Sequence, residues 1–134
     1  MATELPDPTP VPAINVGFVF PEIIPGLEVV RRKTGATWTN AEILDSLVSE
    51  QSFLFLAPTG FFILQPKFKR EPIVLIWIAY GDGTGQLDHY IPIIETLARQ
   101  IGATTLVIES PRPGYRRALK GWHRDGETYT RRLM

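Results

Sequence analysis

Eight consecutive apolar or aromatic residues, Ile73 to Tyr80 (IVLIWIAY), constrain this chain more than any other stretch. Neither side of such a segment suits water, so it predicts a strand buried on both faces at the centre of a sheet. TTLVIES, residues 104–110, predicts a second buried strand. Between them, HYIPIIETLARQIGA carries Ile91, Ile94, Leu97 and Ile101 on one helical face, with Gly102 as the stop. A strand, a helix and a second strand form a crossover, so the two strands are expected to run parallel. Pro92 fits only the first turn of a helix, which predicts a late start or a kink there. The link into that helix, IAYGDGTGQLDHY, is rich in glycine. Free N–H groups and the helix dipole favour an anion at such a place, and the same glycines serve any turn that needs positive φ.

The remaining elements follow from local signals. TWTNAEILDSLVSEQ reads as a helix with Thr39 and Glu42 as its capping box and Ile43, Leu44, Leu47 and Val48 as its apolar stripe. SFLFLAPTGFFILQP reads as two strands about a Pro58-Thr59-Gly60 turn. In EIIPGLEVVRRKTG, Pro25 limits any helix to the residues on either side of it. Pro6, Pro8, Pro10 and Pro12 predict an extended arm over residues 1–19, ahead of a domain over 20–134. PRPGYRRALKGW has room for a short helix from Tyr115 to Lys120, and Asp125-Gly126 marks a closing hairpin. Together these give an α+β class, a mixed central sheet flanked by helices.

The chain has no cysteine, which excludes disulfides and thiolate metal sites, and His89 and His123 make no metal site by themselves. No apolar run in the sequence approaches the roughly 18 residues of a membrane span, so no membrane partner is expected. Formal net charge is zero but unevenly spread. Arg112, Arg116, Arg117, Lys120, Arg124, Arg131 and Arg132 face only Asp125 and Glu127 over residues 112–132. That face suits phosphates or an acidic partner, although a neutral protein has little long-range pull on nucleic acid. Tyr115 and Trp122 among these arginines are the candidates for base stacking.

The order of elements resembles the GCN5-related N-acetyltransferase (GNAT) superfamily over residues 20–134, best over 73–123. ETLARQIGATTLVIES is similar to that family's helix-strand section, and LKGW stands where its Leu-Gly-Phe signature lies. The resemblance implies a coenzyme A pyrophosphate loop at the glycines, bringing Tyr80, Gly81, Gly83, Thr84 and Gly85 to the cofactor. Asp82 stands where the family has Arg or Gln, and Leu87 where it has Gly or Ala; the first adds repulsion and the second obstructs close approach. The family's tyrosine, which protonates the departing thiolate, aligns with Arg117, and Tyr115 lies two residues earlier. Glu109, at a strand end, occupies the region of a carboxylate that deprotonates an amine, or else pairs with Arg112 or Arg116.

ESPRPGYRRALKGWHRDGETYTRRL also looks like small GNAT-like proteins of tailed bacteriophages. The leading reading is therefore a non-catalytic structural or interaction component of a bacteriophage particle, in the virion or the host cytoplasm, with no cofactor. The proline arm and the basic 112–132 face would meet other virion proteins or its own subunits. The alternative is an acyl-CoA-dependent N-acyltransferase that takes acetyl-CoA, with Glu109 as base and Tyr115 as acid. A nucleic-acid-binding module built on the arginines comes third.

Overall fold

The computed structural model describes residues 8–68, 70–81, 86–111, 115 and 119–133, with the side chains of 86–88 excepted. One sheet organises them. Its strands are β1 (Thr9–Val11), β2 (Phe53–Ala57), β3 (Gly60–Phe68), β4 (Pro72–Gly81), β5 (Thr105–Glu109), β6 (His123–Asp125) and β7 (Thr128–Arg132). They lie in the order β1-β2-β3-β4-β5-β7-β6, with β4 at the centre as its two-sided apolar sequence requires. β4 and β5 are parallel and the other neighbours antiparallel.

Both faces are covered. Helices α1 (Val16–Thr34) and α2 (Asn40–Val48) close one face, and α3 (Gln86–Gln100) closes the other. Leu54, Phe61, Ile63 and Ile78 pack beneath α1 and α2, whereas Phe62, Leu64, Val74, Ile76, Leu106 and Ile108 pack beneath α3. The Thr39 hydroxyl accepts from the Glu42 N–H at 3.1 Å and donates to its carboxylate at 3.2 Å, the expected cap of α2. Ile43 and Leu47 bury the α2 stripe while Val48 stays exposed.

α1 departs from the sequence reading. It runs unbroken through Pro21 and also through Pro25, which the sequence reading expects to limit it. Both prolines face solvent, while Val16, Phe20, Ile23, Leu27 and Val30 are buried on the sheet side. Each interior proline costs about 3 kcal/mol. Five buried side chains at about 1.5–3 kcal/mol each outweigh that. The arm boundary at residue 19 also moves. β1 is an edge strand paired with β2, and α1 already begins at Val16, so the sheet-bound region starts by residue 9. Pro10 is tolerated there because an edge strand can lack a donor on its open side. Residues 1–7 lie outside the described part. Ala13–Thr34 is long and apolar enough to cross a membrane by length and composition, contrary to the sequence reading.

α3 also runs through a proline. It starts at Gln86, so Pro92 is not in its first turn and the helix does not start late. Pro92 is exposed, and the Thr96 hydroxyl donates to its carbonyl at 3.1 Å. The buried face is Tyr90, Ile91, Ile94 and Ala98, and Ile101 is 47% exposed. Glu95 lies on the buried side, where Arg99 at 3.3 Å and Arg131 of β7 at 3.5 Å neutralise it. Gly102 ends the helix at φ 84°, and the N–H of Ala103 returns to the carbonyl of Ala98. The hairpins form as expected, with Pro58-Thr59 linking β2 to β3 and Gly126-Glu127 linking β6 to β7.

Two contacts at opposite ends of β4 generate predictions. Near its C-terminal end, a Cβ on Gly26 of α1 would stand 2.6 Å from Phe61 Cε1 and 2.9 Å from Tyr80 Cδ2, whereas one on Gly17 would meet nothing within 4 Å. Gly26→Ala should lower stability by about 1–3 kcal/mol through overpacking. Gly17→Ala should raise it by up to about 1 kcal/mol. Urea midpoints read both. At the other end, the Glu71 carboxylate accepts from the hydroxyls of Thr105 at 2.9 Å and Thr104 at 3.1 Å. The Thr105 bond, then the Thr104 bond, holds its pKa below the ordinary glutamate value. A lowered native pKa stabilises above the unfolded-state pKa, and that contribution disappears as pH falls through the native value. The Glu71 carboxyl signal in an NMR titration should therefore move at lower pH than a free glutamate, and Thr104→Val with Thr105→Val should return it upward.

Candidate active site

β4 and β5 are paired from Ile73–Thr105 to Ile76–Ile108, and there the ladder stops. β4 continues to Gly81 and β5 to Glu109, so the two strands part over the second half of β4. The other side of β4 supplies the cause. Against β3, Ile63 pairs with Ile78 and Leu64 with Ile76, which leaves Trp77 as a one-residue bulge. A bulge bends a strand and increases its local twist, carrying the end of β4 away from β5. It also changes the facing. Val74 and Ile76 face α3, Trp77 and Ile78 both face α1, and Ala79 faces α3 again.

A cavity of about 30 Å³ opens where the strands part, lined by Val30, Trp77, Ile78, Ile108, Glu109 and Tyr115 among others. Its lining comes from both cores, so it lies at the level of the sheet. Crevices beyond the carboxyl ends of parallel strands are the general ligand position in such sheets. Glu109 is an exposed carboxylate at the end of β5, opposite Thr128 of β7. Tyr115 is half-buried, packs on the α3 core, and accepts through its carbonyl the N–H of Leu119 at 2.9 Å. The two residues nominated for acid-base work thus line one space. Ser110, buried beside them, donates its N–H to the Glu127 carbonyl at 2.9 Å.

The residues nominated for the cofactor divide. The Tyr80 ring lies 5.7 Å from that of Phe61 against Gly26, in a hollow between α1 and the β2–β3 turn. Its main chain, not its ring, borders the gap between β4 and β5. Gly81 closes β4 opposite Gly60, at which a Cβ would stand 2.0 Å from the Tyr80 carbonyl oxygen. Gly83, Thr84 and Gly85 lie outside the described residues, as do Asp82 and the side chain of Leu87. Arg112, Arg116 and Arg117 lie outside them too. Of the basic face, Arg131 is taken up by Glu95, and Arg124 donates to the Gly126 carbonyl at 2.8 Å, its guanidinium 6.0 Å from the Tyr129 ring.

His89 is exposed and meets Tyr90 edge-on at 5.1 Å. Burial pushes the Tyr90 hydroxyl pKa upward, which keeps it neutral. Trp122 is half-buried and packs against the α3 core. Among the described residues no group of three or more His, Cys, Asp or Glu is placed to hold a metal. Sequence reasoning missed Trp77 and Val30 as wall residues. Both are apolar residues in apolar surroundings, and only the ladder register distinguishes Trp77.

No protein-family model matches the sequence, and no curated protein matches it. Solved structures do match. A probable acetyltransferase superposes with TM-score 0.67 at 14% identity, covering 90% of this chain and 91% of its own. Tetrahymena GCN5 superposes with TM-score 0.62 at 9% identity, covering 96% and 97%. The toxin AtaT, in a mutant bound to the C-terminus of its antitoxin AtaR and to acetyl-CoA, gives 0.54 at 13% identity over 75% and 81%. The chain therefore has the GNAT acetyltransferase fold, a mixed seven-stranded sheet flanked by helices.

Proposed function

We propose that this chain is an acyl-CoA-dependent N-acyltransferase whose reacting groups meet where β4 and β5 part. The observation that carries the proposal is that Glu109 and Tyr115 line a single cavity at that point. The fold supports it, since similar structures are acetyltransferases and AtaT was solved with acetyl-CoA. The site fits an acyl thioester in three respects. Trp77 to Gly81 have no β5 partner in the ladder, so their main chain suits an amide-bearing chain laid alongside as an added strand. Val30, Trp77, Ile78 and Ile108 give the cavity an apolar side, which suits a short acyl group. The 82–85 segment leads into the start of α3, where an anion is favoured. Asp82 opposes a pyrophosphate in that segment, so micromolar or weaker affinity is expected.

In the reaction, the nitrogen of a neutral amine attacks the thioester carbonyl carbon. The N–C bond forms, the C–S bond breaks, and the amine proton passes to the Glu109 carboxylate. The sulfur leaves with a proton from the Tyr115 hydroxyl, so the acyl group moves from sulfur to nitrogen with charge conserved. AtaT has been solved with AtaR and DNA, and with acetyl-methionyl-tRNA. A macromolecular acceptor or partner is in keeping with that likeness, met through the N-terminal arm or the basic 112–132 face. The other reading, a non-catalytic component of a bacteriophage particle, has no structural observation in its favour.

The test is calorimetry with acetyl-CoA, followed by thiol release with a panel of amines. Glu109→Gln and Tyr115→Phe should each lower turnover about 10²–10⁴-fold, the usual share of a general base or acid, with acetyl-CoA affinity falling far less. Absence of binding at millimolar acetyl-CoA, or full turnover in both variants, would contradict the proposal.

A further inference from the structure

We propose that Trp77, facing Val30 of α1, sets the length limit for the transferred acyl group and restricts it to a short, uncharged chain. This inference rests on the acyltransfer reading above and concerns the same cavity. The bulge fixes the indole at the point where the ladder ends. Trp77 has no partner on β3; alternation from Val74 and Ile76 places it on the α1 side, and the bulge brings the next residue, Ile78, to that side as well. Val30 is 6% exposed and lies one helical turn beyond Gly26, which is locked against Phe61 and Tyr80. The wall opposite Trp77 is therefore part of the core and cannot retreat.

Size and charge then select the acyl group. The cavity measures about 30 Å³, and a single water needs about 10–15 Å³ on this measure. A space of that size suits a two-carbon acyl group, and a longer chain running inward would press on Trp77, Val30 and Ile78. The polar side chains among its lining are Glu109, Ser110 and Tyr115. A carboxylate-bearing acyl group would bring a second negative charge to Glu109 against apolar walls, which is unfavourable.

The experiment measures dissociation constants by calorimetry for free CoA and for acetyl-, hexanoyl- and succinyl-CoA. It uses the wild-type chain, Trp77→Ala and Val30→Ala. Wild type should bind acetyl-CoA at least tenfold more tightly than hexanoyl- or succinyl-CoA. Trp77→Ala should bring the hexanoyl-to-acetyl ratio to within about threefold of unity, with Val30→Ala moving it the same way by less. Discrimination against succinyl-CoA should survive both changes. If Trp77→Ala fails to fold, Trp77→Phe and Val30→Ala carry the comparison. Equal wild-type binding of acetyl- and hexanoyl-CoA, or a ratio unmoved by every folded variant, overturns the length limit while leaving the acyltransfer reading standing. No binding of any CoA species overturns both.

Discussion

The structure depends on β4 being buried on both faces. A strand with Val74 and Ile76 on one side and Trp77 and Ile78 on the other needs two separate covers. α3 supplies one because the crossover to a parallel β5 must pass over a face of the sheet. α1 and α2 supply the other. The same strand carries the bulge, and the bulge ends its pairing with β5 four residues into their ladder. Core and cleft therefore meet on one strand. Its apolar sequence centres β4, and its bulge leaves the last residues without a β5 partner in the ladder.

Local conflicts in the chain are resolved by geometry. Pro21 and Pro25 in α1 and Pro92 in α3 all face solvent, where a missing donor is least damaging and the buried stripe is untouched. Glu95 is only 8% exposed yet is held by arginines from α3 and β7. Removing one partner of such a group is expected to hurt more than the pair itself helps, because an unpaired buried charge remains. Gly26 is required for a different reason, since Phe61 and Tyr80 occupy the space that any side chain there would need.

Much of this was legible in the residues. Ile73–Tyr80 and TTLVIES announce the two central strands, Thr39 with Glu42 announces α2, and Pro58-Thr59 and Gly126 announce the hairpins. The bulge was not legible, because alternation is the signal of facing and a strand apolar on both sides has none. The passage of α1 through its prolines was hidden for a related reason. Whether a proline breaks a helix depends on which side it faces and on what the opposite side buries. In α3 the apolar spacing suggested Leu97 and Ile101 as core. Leu97 does pack half-buried against the core, but Ile101 is exposed, and the buried face also takes in Ala98 and Glu95, the latter because Arg131 arrives from β7, which no local pattern foretells. Glu109 and Tyr115 came from resemblance rather than spacing, and only the fold brings them to one cavity. Trp77 and Val30 carried no sequence signal beyond being apolar.

The acyltransferase reading makes the parting of β4 and β5 a binding groove rather than a defect in the sheet. Its most direct test is amide chemical-shift mapping by NMR while acetyl-CoA is added to the isotope-labelled chain. The account predicts the largest shifts at Trp77 to Gly81 and at Ile108 to Ser110, with the Glu71 end of the same strands unmoved. Shifts centred elsewhere, or none at millimolar ligand, would contradict it.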